Sequence, residues 1–306
     1  MLRPMRILLT GISGSIGAAL APALLRAGHE LRGFGRPSAR VHLDVPVVRG
    51  DAVTGAGLDE ALEDIDVAYF LIHSMEGEDG FAQRERSAVE QFASAAQRAG
   101  LRRTVYLGGI VPEQRVLSRH LNSRLEVERI LLAELPEAVA LRASIVIGSR
   151  SRSFRLLVHL VERMGVLALP AWHVHRTRPI DMRDVVAFLV AAATTEHTDG
   201  GLSLDIAGPD LLSYGQIIER IADLMLVRRP SLRLARDAMP LVAPVVARIV
   251  GEDSGFVIPL MESLTTDLLP RDDRAPALLG VRLHGFDRAV ERALREWESA
   301  EPLRAR

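Results

Sequence analysis

MRILLTGISGSIGAALAPALLRAG, residues 5–28, decides the fold, because it joins a buried strand, a glycine-rich turn and a helix without a break. Residues 6–9 form a short apolar run of the kind found in buried parallel strands. From Ser15 to Ala27 apolar residues recur at helical spacing, and Gly28 is placed to end the helix. This order predicts a turn that presents a helix N-terminus to a phosphate group.

Three glycines occupy the turn, at Gly11, Gly14 and Gly17. Gly11 and Gly14 would let the backbone approach a diphosphate, and Gly17 would let the helix press against the sheet. The spacing is G-x-x-G-x-x-G and not G-x-G-x-x-G, so the triplet alone is a weak signal and an ordinary glycine-rich turn is the alternative. The flanking strand and helix favour a dinucleotide site. Its expected contacts in this stretch are Thr10, Gly11, Ser13, Gly14, Ser15, Ile16 and Gly17.

The composition narrows the possible chemistry. The chain has 306 residues, a formal net charge of -1, no cysteine and no lysine. The missing cysteine excludes thiolate nucleophiles and Cys-ligated zinc, and the missing lysine excludes Schiff-base catalysis. Basic residues are scattered, so no nucleic-acid partner is indicated. Without a signal peptide or a long apolar stretch, we expect no membrane partner and a soluble, cytoplasmic monomer or homodimer that binds a small-molecule substrate.

The end of the second predicted strand, Glu30 to Phe34, indicates the cofactor. A carboxylate here would bind the ribose hydroxyls of NAD, whereas an arginine accommodates the 2′-phosphate of NADP. Arg36 occupies this position, with Arg40 nearby. The sequence therefore predicts NADP(H) in preference to NAD(H). The alternative is that Arg36 is a solvated loop charge.

Strands and helices alternate along most of the chain, which predicts an α/β protein with a Rossmann-type doubly wound parallel sheet. Later strands are expected at residues 46–49, 66–72, 104–107, 139–147 and 202–206. We expect a dinucleotide-binding domain over residues 1–150. A smaller, mainly helical substrate-side region would cover residues 151–306, with residues 178–207 returning to the sheet. Its apolar residues would either line a ligand pocket or pack together, among them Met239, Leu241, Val245, Phe256 and Met261.

Residues at the carboxyl ends of parallel strands face the ligand crevice of such a sheet. Asp51 would reach the adenine edge or cap the next helix, and His73 and Ser74 would lie near the nicotinamide half. The predicted contacts from these strand ends are Asp51, Ala52, Leu71, His73, Ser74, Gly108, Ala143 and Ile145.

The segment 165–178, GVLALPAWHVHRTR, is rich in aromatic and imidazole groups. We predict that it is irregular and that Trp172, His173 and His175 form part of the substrate pocket wall. Two histidines with no third ligand nearby do not indicate a metal site.

Several motifs together resemble the atypical short-chain dehydrogenase/reductases. They are TGISGSIG, Gly50-Asp51, YFLIHSM, VYLGG and LRASIVIG, in that order along residues 5–207. The chain most resembles the NmrA-like NAD(P)H-binding proteins, a group also similar to an accessory subunit of respiratory complex I. The resemblance implies the fold, but this group includes reductases, isomerases and members that bind a dinucleotide without turnover.

One departure from that pattern affects catalysis. Active short-chain dehydrogenases usually carry Tyr-x-x-x-Lys on the helix after the fifth strand, and this chain has no lysine. On the corresponding helix, predicted over Leu117–Leu135, His120 and Arg124 stand at i and i+4, and so on one face. We predict that His120 donates a proton and Arg124 favours its neutral form, with Ser118 as a secondary donor. The alternative is a polar helix residue beside a structural arginine.

These observations favour an NADPH-dependent oxidoreductase that reduces a small, largely apolar carbonyl or enone compound. The first alternative is a non-catalytic NADP(H)-binding regulator or assembly factor, because the usual proton relay is absent. The second alternative is an enzyme similar to nucleotide-sugar epimerases, which normally need a tyrosine base where this chain offers His120.

Overall fold

The computed structural model describes residues 4–73, 80–112, 118–196, 201–233, 248, 251, 257–258, 261 and 263–301. Its strands are β1 (Arg6–Thr10), β2 (Glu30–Gly35), β3 (Val47–Arg49), β4 (Val67–Phe70), β5 (Arg103–Gly109), β6 (Glu137–Ala143), β7 (Val146–Ile147), β8 (Leu167–Leu169), β9 (Arg176–Thr177), β10 (Ile180–Asp181), β11 (Leu202–Ile206), β12 (Leu212–Ser213) and β13 (Ser231–Arg233). Its helices are α1 (Ser15–Arg26), α2 (Leu58–Leu62), α3 (Phe81–Arg98), α4 (Arg119–Glu134), α5 (Arg152–Arg163), α6 (Met182–Thr194), α7 (Tyr214–Leu224), α8 (Ala275–Leu279) and α9 (Phe286–Ala300).

A seven-stranded sheet in the order β3-β2-β1-β4-β5-β6-β11 forms the centre of the fold. Every neighbouring pair in it is parallel. The strand order reverses between β1 and β4, and ligands of open α/β sheets bind at such a switch point. The predicted Rossmann-type doubly wound α/β fold is confirmed.

Both faces of the sheet are covered, because side chains of each strand alternate between them. Ile7 and Leu9 of β1 pack with α1 and α6 on one face. Leu8 packs on the other face with residues of α2, α3 and α4, including Phe92. Since all three β1 residues are fully buried, the first strand has the continuous apolar character expected of a central parallel strand.

The sixth predicted strand, residues 139–147, is interrupted at Ser144. The Ser144 hydroxyl donates a hydrogen bond to the carbonyl of Arg178, and its amide donates to Ile206 O at 3.2 Å. Strand β6 ends at Ala143, and β7 pairs with β10 in a separate two-stranded sheet. Local sequence patterns do not signal this break, because both hydrogen-bond partners of Ser144 lie far away along the chain.

The segment 165–178 is more regular than predicted. It holds β8, a 3-10 turn at Ala171–Val174, and β9. Strand β8 pairs with β13, and β9 pairs with β12. These pairings depend on strands more than thirty residues further on, which a local pattern does not register.

A further apolar core joins α5, α7 and α9. Met261 is 3% exposed and packs within this core. Of the two alternatives for this region, packing therefore holds for Met261. Met239, Leu241, Val245 and Phe256 lie outside the described residues. Within the part of the chain that the structure describes, no helix combines the length and apolar character needed to cross a membrane.

Candidate functional site: a cleft at the carboxyl edge of the sheet

A cleft of about 1000 Å³ runs along the carboxyl edge of the sheet. It crosses the switch point between β1 and β4 and continues toward the N-terminus of α5. Of the residues predicted to bind the cofactor, those that line it are Gly11, Ser13, Gly14, Ser15, Ile16, Gly17, Arg36, Asp51, Ala52, Leu71, His73, Gly108, Ala143 and Ile145.

The glycine turn has no room for side chains. Gly11 has a φ of +66°, and a Cβ there would lie 2.8 Å from the carbonyl oxygen of Leu71. A Cβ on Gly17 would overlap the carbonyl oxygen of Gly11. Gly17 thus lets the helix start press against the turn, and Gly11 lets the turn pass close to the end of β4.

The N-terminus of α1 fits a bound diphosphate. Gly14 is its N-cap, no described side chain caps it, and its first turn carries no acidic residue. The first amides of this 12-residue helix and its dipole therefore favour an anion in the cleft. The cradle that the glycines leave open fits the phosphates of a dinucleotide.

Thr10 does not line the cleft, unlike its neighbours. It is fully buried, its hydroxyl donates to Tyr69 O at 2.8 Å, and it accepts from Leu71 N at 3.0 Å. Both bonds run from β1 to the end of β4. Thr10 therefore fastens the two strands at the switch point, which corrects the prediction of a direct cofactor contact.

The loop after β2 carries Arg36 to the far end of the cleft, where its side chain is exposed. Arg49 of β3 holds this loop by donating to Ala39 O at 2.7 Å and to Arg36 O at 3.2 Å. The sequence reasoning missed Arg49, since nothing local shows that β3 lies beside β2. The Asp51 carboxylate accepts from Val53 N at 2.9 Å in a tight turn. Helix α2 starts later, with Gly57 as its N-cap, so the alternative in which Asp51 caps it is wrong.

Three nitrogen-bearing side chains meet near the carboxyl end of β4: His73, His120 and Arg124, all on the cleft wall. Nη1 of Arg124 lies 2.8 Å from Nε2 of His73. Arg124 is 5% exposed, whereas His120 is partly buried and His73 keeps exposed surface toward the cleft. The i, i+4 pair predicted on α4 thus faces the cleft and is joined by His73.

Both imidazoles of this cluster are held in the neutral form. Burial, and then the charge of Arg124, together lower the pKa of His120 from 6.5 to about 3. Desolvation, then the positive charge of Arg124, lower the pKa of His73 well below 6.5. At neutral pH, His120 therefore offers the N–H of a neutral imidazole and not the proton of an imidazolium.

Arg124 itself is held from two sides. The Tyr106 hydroxyl on β5 donates to its backbone carbonyl at 3.2 Å. Its Nη2 lies 3.9 Å from Oε1 of the buried Glu85 on α3. Its Nε has no hydrogen-bond partner among the described residues, although it is buried. A buried guanidinium with an unused donor is suited to a ligand oxygen.

Some predicted site residues lie elsewhere. Ser118 is the N-cap of α4 and accepts from Leu121 N at 3.3 Å, so its oxygen serves the helix. Trp172 is 5% exposed and packs against Tyr214, with ring centroids 6.3 Å apart. His173 Nδ1 lies 2.8 Å from Pro170 O, and His175 lies 3.6 Å from Asp267. The residues that line the cleft do not include Ser118, Trp172, His173 or His175. The 3-10 turn places Trp172 in the core beside α5 and α7. Ser74 lies outside the described residues.

The cleft also has walls that the sequence reasoning missed. Among them are Arg84, Ser151, Arg152, Ser153, Met182 and Leu268. The serines flank the start of α5, where Ser151 is the N-cap, so a capping pattern marks the helix start but not its place in the cleft. Leu268 forms an isolated β-bridge with Thr177 and lines the cleft. Local sequence patterns do not predict a contact between residues so far apart. Among the described residues, no group of three or more His, Asp or Glu side chains could hold a metal ion.

Residues 11–145 match the family model described as NAD(P)H-binding. This match covers the glycine turn, the switch point and the His120–Arg124 face of α4. With the sheet and the cleft, this match supports the predicted resemblance to the atypical short-chain dehydrogenase/reductases, and residues 11–145 are the part of the chain that is similar to NAD(P)H-binding proteins.

Individual relatives lie in two groups. Over 195 residues the chain is 25% identical to an Arabidopsis thaliana protein, NADH dehydrogenase [ubiquinone] 1 alpha subcomplex subunit 9, mitochondrial, covering 58% of this chain and 46% of the relative. The chain thus spans less than half of that relative's length. Over 304 residues it is 25% identical to 3 beta-hydroxysteroid dehydrogenase/Delta 5-->4-isomerase of Mycobacterium tuberculosis. The alignment covers 88% of this chain and 82% of that relative.

A solved structure shares the fold over nearly the whole chain. It is the UDP-glucuronic acid 4-epimerase from Bacillus cereus in complex with NAD, which superposes with a TM-score of 0.72. The superposition covers 96% of this chain and 97% of the epimerase, at 19% sequence identity. At this identity the likeness establishes the fold and not the reaction.

Proposed function

We propose that the protein is an NADPH-dependent oxidoreductase of the NmrA-like branch that reduces the carbonyl group or conjugated double bond of a small, largely apolar compound. One observation carries this proposal: His120 and Arg124 face the same cleft as the glycine cradle and stand beside His73. The cofactor, when bound, supplies a hydride to the substrate. The protein must then stabilise the negative charge that develops on the substrate oxygen.

His120 and Arg124 supply that stabilisation in different ways. The N–H of the neutral His120 imidazole donates a hydrogen bond to the substrate oxygen. The Arg124 guanidinium stays charged at every relevant pH and provides a fixed positive charge. In the usual enzymes a tyrosine with a lowered pKa passes a proton to the product, and neither His120 nor Arg124 is such a group. The proton that completes the product therefore comes from water at the open side of the cleft.

Arg36 supports the preference for NADPH. It lies at the end of the cleft that follows β2, where a 2′-phosphate on the adenosine ribose would be placed. Arg49 anchors the backbone of the same loop, so the position of Arg36 is defined even though its side chain is exposed.

The test follows the absorbance of NADPH with a panel of aldehydes, ketones and enones, for the wild type and for His120→Gln. We expect turnover with some of them and a large fall in kcat for the variant. Titration calorimetry with NADPH and NADH is run in parallel, and equal affinities would refute the role of Arg36. The absence of turnover with the whole panel would count against an oxidoreductase.

The second candidate is a non-catalytic NADP(H)-binding regulator or assembly factor. The similarity to a complex I subunit favours it, as does the missing Tyr-x-x-x-Lys pair. In that case NADPH binds tightly, no panel compound is reduced, and His120→Gln changes only binding or association with a protein partner. An epimerase similar to the Bacillus cereus enzyme is the third candidate, and an assay with nucleotide sugars and NAD separates it from the other two.

A further inference from the structure

Glu85 is a buried carboxylate directly behind the cleft wall. It lies on α3 and is 3% exposed, and it is not among the described residues that line the cleft. Its carboxylate accepts a hydrogen bond from the Ser123 hydroxyl on α4. The same carboxylate lies 3.9 Å from Nη2 of Arg124, the next residue along that helix. Glu85 therefore contacts the residue that faces the cleft, but not the cleft itself.

A buried guanidinium needs a nearby negative charge. Arginine stays protonated in proteins, so Arg124 cannot reduce the cost of burial by losing its proton. The two imidazoles of the cluster have lowered pKa values and offer no compensating charge. Among the described residues, the Glu85 carboxylate lies within ion-pair distance of Arg124. It lies near Nη2 of the guanidinium, whereas His73 contacts Nη1.

The Ser123 hydroxyl fixes the direction of that attraction, because it ties the carboxylate to α4 one residue before Arg124. Tyr106 fixes the backbone of Arg124 from β5. Side chains of three elements therefore position Arg124: Glu85 of α3, held by Ser123 of α4, acts at its guanidinium, and Tyr106 of β5 acts at its backbone carbonyl.

We propose that Glu85, with Ser123, is a positioning residue that sets the place of the Arg124 guanidinium against His73 and His120. The inference rests on the proposed function, since it assigns Glu85 a part in the same reaction. It predicts that removing the charge of Glu85 displaces the guanidinium while the glycine cradle and the adenine end of the cleft stay intact.

The test compares Glu85→Gln with a matched control, Glu128→Gln. Glu128 is also a buried glutamate, 2% exposed, and its carboxylate accepts from Nε of Arg142 at 2.8 Å, away from the cleft. Glu85→Gln removes a carboxylate that pairs with the buried Arg124, and Glu128→Gln removes one of the two carboxylates that pair with the buried Arg142, so both variants should unfold at lower temperature. We expect only Glu85→Gln to lower kcat, on the order of 100-fold for a misplaced catalytic group, with the Kd for NADPH unchanged.

Two further variants keep the test decisive. If Glu85→Gln does not fold, Ser123→Ala removes only the hydrogen bond to Glu85 and should lower kcat in the same direction by a smaller factor. In an Arg124→Gln background, Glu85→Gln should have no additional effect on kcat, because its action passes through Arg124. Additive losses would overturn the proposal.

A readout without turnover separates this inference from the proposed function. The imidazole nitrogen resonances of His73 and His120, measured by NMR, should shift in Glu85→Gln and stay in place in Glu128→Gln. If the wild type reduces nothing but these resonances shift as expected, the proposed function fails and the positioning role stands. If kcat and the resonances of Glu85→Gln match the wild type, the positioning role is wrong.

Discussion

Nη1 of Arg124 lies 2.8 Å from Nε2 of His73, although the two residues are 51 positions apart in the sequence. Strands β4 and β5 are parallel neighbours, so the residue that follows β4 and the helix that follows β5 meet at the same edge of the sheet. The contact adds a second neutral imidazole to the predicted pair on α4 and places the group at the switch point.

Gly11→Ala should weaken NADPH binding and lower stability. An alanine at a φ of +66° costs about 1–2 kcal/mol of backbone free energy, and its Cβ would also press on Leu71 O. Gly100→Ala is the matched control, because its φ is +64° and nothing lies within 4 Å. Calorimetry and thermal unfolding should show both variants destabilised and only Gly11→Ala deficient in NADPH binding. Equal NADPH affinities would argue against the cradle.

Arg36→Ser should raise the Kd for NADPH and leave the Kd for NADH unchanged. A hydrogen bond to a charged group contributes about 1.5–3 kcal/mol, which corresponds to roughly a 10- to 100-fold change in Kd. Arg40→Ser removes a second exposed arginine of the same loop that does not line the cleft, and it serves as the control. If both variants lose the same NADPH affinity, the effect comes from the total positive charge of the loop and not from a specific contact of Arg36.

The free energy of unfolding should fall as the pH drops from 7 to 5, partly because of His120. Its pKa is about 3 in the folded protein against 6.5 for the free side chain. The unfolded chain therefore binds the proton in this window while the folded chain does not, and stability is lost as the pH falls. The contribution of one such histidine is up to about 2 kcal/mol at pH 5. Urea unfolding of His120→Gln should show a shallower pH dependence than the wild type, and identical slopes would contradict the assignment.

Ser118→Ala should lower stability without affecting cofactor binding. Its oxygen accepts from Leu121 N at the start of α4, and loss of an N-cap hydrogen bond costs about 1 kcal/mol. Thermal unfolding and NADPH calorimetry on the same sample check both parts of this expectation. A weaker affinity of Ser118→Ala for NADPH would contradict a purely structural role for Ser118.

The elements that were predicted well share one property, which is that their signals are local. Strand β11 has the predicted bounds, and α1 ends within one residue of the expected position. The break at Ser144 was missed because its hydrogen-bond partners are Arg178 and Ile206. We predicted that residues 165–178 form a pocket wall because they are rich in aromatic and imidazole groups. In the structure Trp172 is buried against Tyr214, so this part of the segment belongs to the core.

By itself, the sequence determined the strand–turn–helix unit, the parallel α/β sheet and the absence of a lysine-assisted proton relay, since each depends on neighbouring residues or on composition. Only the tertiary structure decided that Thr10 joins two strands, that His73 meets Arg124 and that Glu85 lies behind them. Those relationships depend on which strands are adjacent and on the burial of charge. Both arise when distant segments pack, and no spacing within the chain encodes them.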